Sequence, residues 1–299
     1  MIIIFLLIIT VFSPISLRNT GAPRHSRLGR MPIQGFHRRV SPMNTQISSA
    51  DFKHAEHAVR TSEEEHKVRV DLAAMFRLTA MFGWDDVVWN HITARVPGSD
   101  HNFLMHRFGL LYEEVTASNL IKVDEHGKVL EGPTDVNTAG FVIHSAIHLH
   151  HPKNKYVFHA HPPQAIAATA FRDGIPFLVQ DSSMLCGKIG YHDWEGLSVD
   201  LDERFRIAEN LGDNKCLVMR NHGFLTVGET AGEAFMNMYY LIRMCDVALH
   251  AQGSGLPLDP GASALWELSV KQYEAFSPGR YEWPALLRRC DRLDPSYKN

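Results

Sequence analysis

Polar and apolar positions along this chain change period several times, and the changes mark its elements. Ser62-Glu63-Glu64-Glu65 has the form of a capping box, and Val68, Leu72, Met75, Phe76 and Thr79 then recur at helical spacing. Gly83 is placed to end that helix in a left-handed turn. From Trp84 to Asp124 the pattern shifts to short β-like runs, Val87 to Val96 and Phe103 to Met105, broken by Pro97-Gly98-Ser99-Asp100 and by Gly109. Ile121 to Asp124 and Lys128 to Leu130, joined through His126-Gly127, read as a hairpin.

Thr138 to His150 carries Val142, Ala146 and Leu149 on one helical face and is closed by Pro152. Lys155 to His161 is rich in β-formers and stopped by Pro162-Pro163, which predicts a strand, with a helix from Gln164 to Phe171 behind it. Cys216 to Arg220 is a further apolar strand, Asn221-His222-Gly223 a turn, and Phe224 to Val227 a strand again. Thr230-Ala231-Gly232-Glu233 forms a second capping box at the head of a long helix running toward His250. Strands and helices thus alternate in one α/β domain, expected over residues 52–252. The Pro-rich stretch 253–299 is expected to be a C-terminal extension packed on it.

Composition narrows the class. In 299 residues, 45% are hydrophobic and 21% charged, which fits a globular protein rather than a disordered one. Lys plus Arg is 30 against 33 Asp plus Glu, so no general nucleic-acid field is present. Cys186, Cys216, Cys245 and Cys290 form no CxxC pair and read as reduced thiols. Residues 1–50 stand apart. Ile2 to Phe12 is apolar but too short to span a bilayer, and Arg18, Arg24, Arg27, Arg30, Arg38 and Arg39 follow with no acidic residue before Asp51. This bias suits an organellar presequence, mitochondrial or plastid; a disordered extension, with translation starting at Met43 and a cytoplasmic product, is the alternative.

Histidine changes the picture most. There are 18, and six of them, His144, His148, His150, His151, His159 and His161, crowd into one short stretch. On a strand, residues i and i+2 point the same way, so His159 and His161 present two imidazoles about 7 Å apart at the backbone, able to clamp one metal. His222, in a turn between strands, is the candidate third ligand, and three histidines with an open position have the form of a catalytic site. The alternative is a pair of hydrogen-bonded strand histidines. A rival set, His144, His148 and His151, shares a helix face and reads either as ligands or as a solvated, partner-facing stripe.

The order Asn90-His91-Ile92-Thr93-Ala94-Arg95, then Phe141 to His151, then Val157-Phe158-His159-Ala160-His161, then Arg220-Asn221-His222-Gly223 resembles the class II aldolase and adducin head-domain family. The resemblance covers roughly residues 64–252. It implies a three-layer α/β domain with a central, mostly antiparallel sheet, a divalent metal on His159, His161 and His222, and a homo-oligomer, tetrameric by resemblance, with sites between subunits. Zinc is the first expectation and iron the second. Two departures stand out. The acid/base Glu of the family's sugar-phosphate aldolases corresponds to Gly140, and its phosphate-binding serines to Thr138 and Ala139. The family's Thr-Pro-Ser-Gly loop is replaced by His106-Arg107-Phe108-Gly109, so an anion would be gripped around Arg107.

Three readings follow. The first is a metal-dependent, aldolase-like lyase acting on a small carbonyl or carboxylate substrate, bound near Asn90, Arg107 and Thr138, with His106, Tyr112 or Glu114 moving the proton. The second is a three-His iron oxygenase or decarboxylase. The third is a non-catalytic, adducin-like domain associated with the actin cytoskeleton, against which the scarcity of basic residues in the tail argues.

Overall fold

The computed structural model describes residues 62–259 and 261–299. The N-terminal presequence reading, residues 1–50, lies outside them. Helix α1 (Glu63–Met81) begins where the capping box predicts: Ser62 Oγ accepts from the Glu65 amide at 3.1 Å. The Glu65 carboxylate does not reach back. It is buried, and it binds Arg69 and Lys122, whose charges outcompete a neutral amide. Gly83 has a φ of +67° and ends the helix as expected.

Eight strands form one sheet: β1 (His91–Arg95), β2 (Phe103–Met105), β3 (Ile121–Val123), β4 (Val129–Glu131), β5 (Tyr156–Ala160), β6 (Ile189–His192), β7 (Cys216–Met219) and β8 (Gly223–Gly228). Their order is β4-β3-β2-β1-β5-β8-β7-β6, and every pairing is antiparallel except β6 with β7. The expected strand over 87–96 is shorter, starting at His91, because Val87 turns the chain with a φ of +53°. The hairpin is present as β3 and β4, with Gly127 at φ +81°.

Helices cover both faces. Phe158, Ile92, Ala94, Val218 and Phe224 face α1 and α4 (Ala231–Gly253), while Val157, Leu217, Leu225 and Val227 face α2 (Thr138–His150) and α3 (Glu203–Leu211). Strand alternation alone produces this division. The expected helix over 164–171 is instead a short 3-10 helix, Ile166–Ala170, which Phe171 ends in an extended conformation. Beyond Gly253, α5 (Ser263–Glu274) and α6 (Glu282–Leu293) follow. Trp283 Nε1 donates to Asp71 on α1 at 3.3 Å, and Arg77 pairs with Asp294 at 2.6 Å. No helix of the described residues is long and apolar enough to cross a membrane.

Candidate metal centre

The central strands bring together what the sequence keeps apart. β5 carries His159 and leads directly to His161, and β8 runs antiparallel beside it, preceded by the tight turn that holds His222. Asn221 adopts a φ of +55°, a conformation asparagine tolerates better than most residues. A Cβ on Gly223 would lie 2.5 Å from His161 Cδ2 and 2.8 Å from the Ala160 carbonyl oxygen, so only glycine lets β8 start this close to the imidazole. The Asn-His-Gly order is therefore geometry as much as chemistry.

His159, His161 and His222 each offer a ring nitrogen, and these atoms lie within 4.8 Å of one another. Nε2 of His159 and Nε2 of His161 are 2.9 Å apart. Burial pushes His159 well below the usual histidine range and His222 down to about 4, with neighbouring imidazoles adding to both. Neutral imidazoles with converging lone pairs are the donors a divalent metal requires, so the residues fit the group. Behind His161, Nδ1 meets the Asp86 carboxylate at 3.0 Å, the arrangement by which a carboxylate orients a metal-binding histidine. Asp86 was missed by sequence reasoning, because nothing local distinguishes it from Asp85.

The rival helix set dissolves. His144 and His148 are buried, neither solvated nor gathered around a common point with His151. They belong to a hydrogen-bonded chain in which His91 Nδ1 meets His144 Nε2 at 2.8 Å, His144 Nδ1 meets Thr93 Oγ1 at 2.6 Å, and Thr93 Oγ1 meets His148 Nε2 at 2.8 Å. His151 turns away and bonds the Ala208 carbonyl. Strand-to-helix polar pairing is cheaper than leaving these groups unpaired in the core, which is why a histidine-rich helix face can be buried.

The other candidates are placed as follows. His106 is fully buried between Phe76 and Tyr112, and neither of its ring nitrogens has a partner; burial takes it down to about 4. Tyr112 is also buried with its hydroxyl unpaired, and burial together with Asp85 and Asp86 raises it well above the ordinary phenol value. Glu114 is exposed, and its carboxylate accepts from the Leu111 amide at 2.7 Å, capping a 3-10 turn. Asn90 donates to the Trp84 carbonyl while its Oδ1 stays buried and unpaired. Arg107 meets Asp135 through Nε and Nη2, both at 2.9 Å. Thr138 is exposed at the first position of α2, beside Asn137, whose side chain caps the helix by accepting from Gly140 N. A separate cleft of about 830 Å³ lies at the opposite ends of β1, β5 and β8, lined by Arg95, Lys155 and Glu229 among others; no histidine among the described residues lines it.

Comparison with known proteins agrees with this architecture. The sequence profile of the Class II Aldolase and Adducin N-terminal domain matches residues 70–249. An aldolase II superfamily protein from Pseudomonas syringae, of known structure, is 38% identical with a TM-score of 0.77, covering 80% of this chain and 98% of that one. L-fuculose 1-phosphate aldolase from Glaciozyma antarctica PI12 is 27% identical with a TM-score of 0.71, covering 79% and 93%. Alpha-adducin of Rattus norvegicus is 41% identical over 247 residues, which cover 77% of this chain and 34% of the adducin. With its eight-stranded, helix-flanked sheet and its ordered histidine motifs, the chain belongs to the class II aldolase and adducin N-terminal domain family.

Proposed function

We propose that the protein is a metal-dependent lyase of the class II aldolase type, acting on a small carbonyl or carboxylate substrate. The observation that carries this is the convergence of His159, His161 and His222, with Asp86 behind one of them. These three imidazoles would hold the metal, and a bound divalent metal supplies Lewis acidity toward a carbonyl or carboxylate oxygen. The remaining work falls to the chain's own groups. His106 and Tyr112, buried ring neighbours whose polar atoms are not hydrogen-bonded, are the proposed groups to receive or donate a proton, and Asn90 Oδ1 is a further unpaired acceptor. Arg107 is the cation available to an anionic substrate, with Asp135 holding its guanidinium in place.

A second reading, a non-catalytic adducin-like domain, is favoured by Gly140, which leaves no carboxylate where the sugar-phosphate aldolases of the family carry one. Elemental analysis separates the two. The full chain is purified without oxygen or added metal, beside His159→Ala, His161→Ala, His222→Ala and His148→Ala. One divalent metal per chain in the wild type and in His148→Ala, and little in the other three, is the expected result. Zinc supports the lyase and iron redirects it toward oxygen-dependent chemistry, whereas no metal and no uptake on addition refutes the metal site.

A further inference from the structure

The three imidazoles are not held alike. His161 has Asp86 on its far nitrogen, but Nδ1 of His159 is buried with no hydrogen-bond partner. A metal-binding histidine is normally fixed by a hydrogen bond at that position, so another contact must set the plane of His159. His91 supplies one. β1 and β5 pair antiparallel with His91 directly opposite His159, and the two rings stack at 4.8 Å between centroids and 19° between planes. His91 is in turn fixed through the chain of His144, Thr93 and His148, which ties the stack to α2.

Gly140 completes the arrangement. A Cβ at that position would lie 2.6 Å from His91 Cδ2 and 2.9 Å from Cγ, closer than real Cβ contacts come. Neither party can yield easily, because the imidazole is buried and hydrogen-bonded and Gly140 lies within α2. We propose that His91 is a positioning residue that sets His159 for metal binding by stacking, and that Gly140 is its obligatory partner, the residue that makes room for the ring. The glycine at this position is then an exchange rather than a plain loss. The space through which any side chain at 140 would leave the helix belongs to an imidazole.

The steric half of this proposal stands on the metal-free protein, and the positioning half rests on the metal reading above. The test uses the full chain as wild type, Gly140→Ala, His91→Ala, the double variant and His91→Phe. Thermal melting in EDTA reads the steric pair. Gly140→Ala should lower Tm by about 3 °C or more in the wild-type background and should not lower it in His91→Ala, where the ring is gone and alanine is the better helix former. Should Gly140→Ala fail to fold, recovery in the double variant is the expected result and no recovery refutes the pairing. Equal losses in both backgrounds also refute it. Cobalt(II) titration, followed by its visible absorption, reads the positioning. His91→Ala should bind about 10-fold more weakly or worse, while His91→Phe, which keeps a flat ring, should recover most of the affinity. Wild-type affinity in His91→Ala overturns the positioning role. A wild type that takes up no cobalt overturns the metal reading and the positioning half together, while the melting cycle still decides the steric half.

Discussion

His106 carries an acid liability whose size can be worked out. The unfolded chain takes up a proton at this residue near the ordinary value of 6.5, whereas burial holds it down to about 4 in the folded protein. Between those values the unfolded state binds more protons, so this contribution to stability is fully present above pH 6.5 and is lost as pH falls toward 4. One pKa unit is about 1.4 kcal/mol, so His106 costs wild-type protein about 2 kcal/mol on going to pH 5 and about 3 by pH 4. His106→Phe removes that loss. The new ring keeps similar volume beside Phe76 and Tyr112, which limits the change at pH 7.5 to about 1 kcal/mol. The assay is urea unfolding in EDTA at pH 7.5 and pH 5.0 at constant ionic strength. The variant should gain about 2 kcal/mol on wild type between the two conditions. A difference that does not change with pH would refute the burial argument.

Three other outcomes are expected. Asp86→Ala should weaken cobalt(II) binding by about 10-fold or more, measured by the same titration, while Asp85→Ala should leave it within about 2-fold. Arg69 is buried and holds Glu65 at 2.9 Å, Glu131 at 2.6 Å and the Leu120 carbonyl at 3.1 Å, so Arg69→Met should cost about 3–5 kcal/mol in chemical denaturation, and a loss under about 1 kcal/mol would contradict that network. Native protein should show one fast thiol toward an aromatic disulfide reagent, lost in Cys186→Ser, because burial raises the thiols of Cys216, Cys245 and Cys290 and slows their attack.

What could be read beforehand followed from local rules. Helix starts at Ser62 and Thr230, the end at Gly83 and the hairpin at Gly127 depend on a few neighbouring residues, and each stands where its pattern put it. The i, i+2 spacing of His159 and His161 is likewise local, as is the turn that holds His222. What escaped was non-local. β6 and α3 lack strong punctuation, and their positions are settled by β7 and α2, against which they pack. The histidines of α2 read as a polar stripe because their partners, His91 and Thr93, arrive from a strand far upstream. Asp86 escaped for the same reason. Its meaning depends on where the end of β5 lies.

The cross-strand pairing of β5 with β8 also has a consequence for biogenesis. His159 and His161 leave the ribosome well before His222, and the segment between them carries β6, α3 and β7, of which β7 flanks β8 in the sheet. Such long-range strand pairing forms late and slowly. A nascent chain halted after His161 therefore carries two of the three imidazoles without the third. On the proposed metal reading, the three imidazoles come together only once β8 has paired with β5, so metal capture would follow closure of the middle of the sheet while α4, α5 and α6 are still to pack.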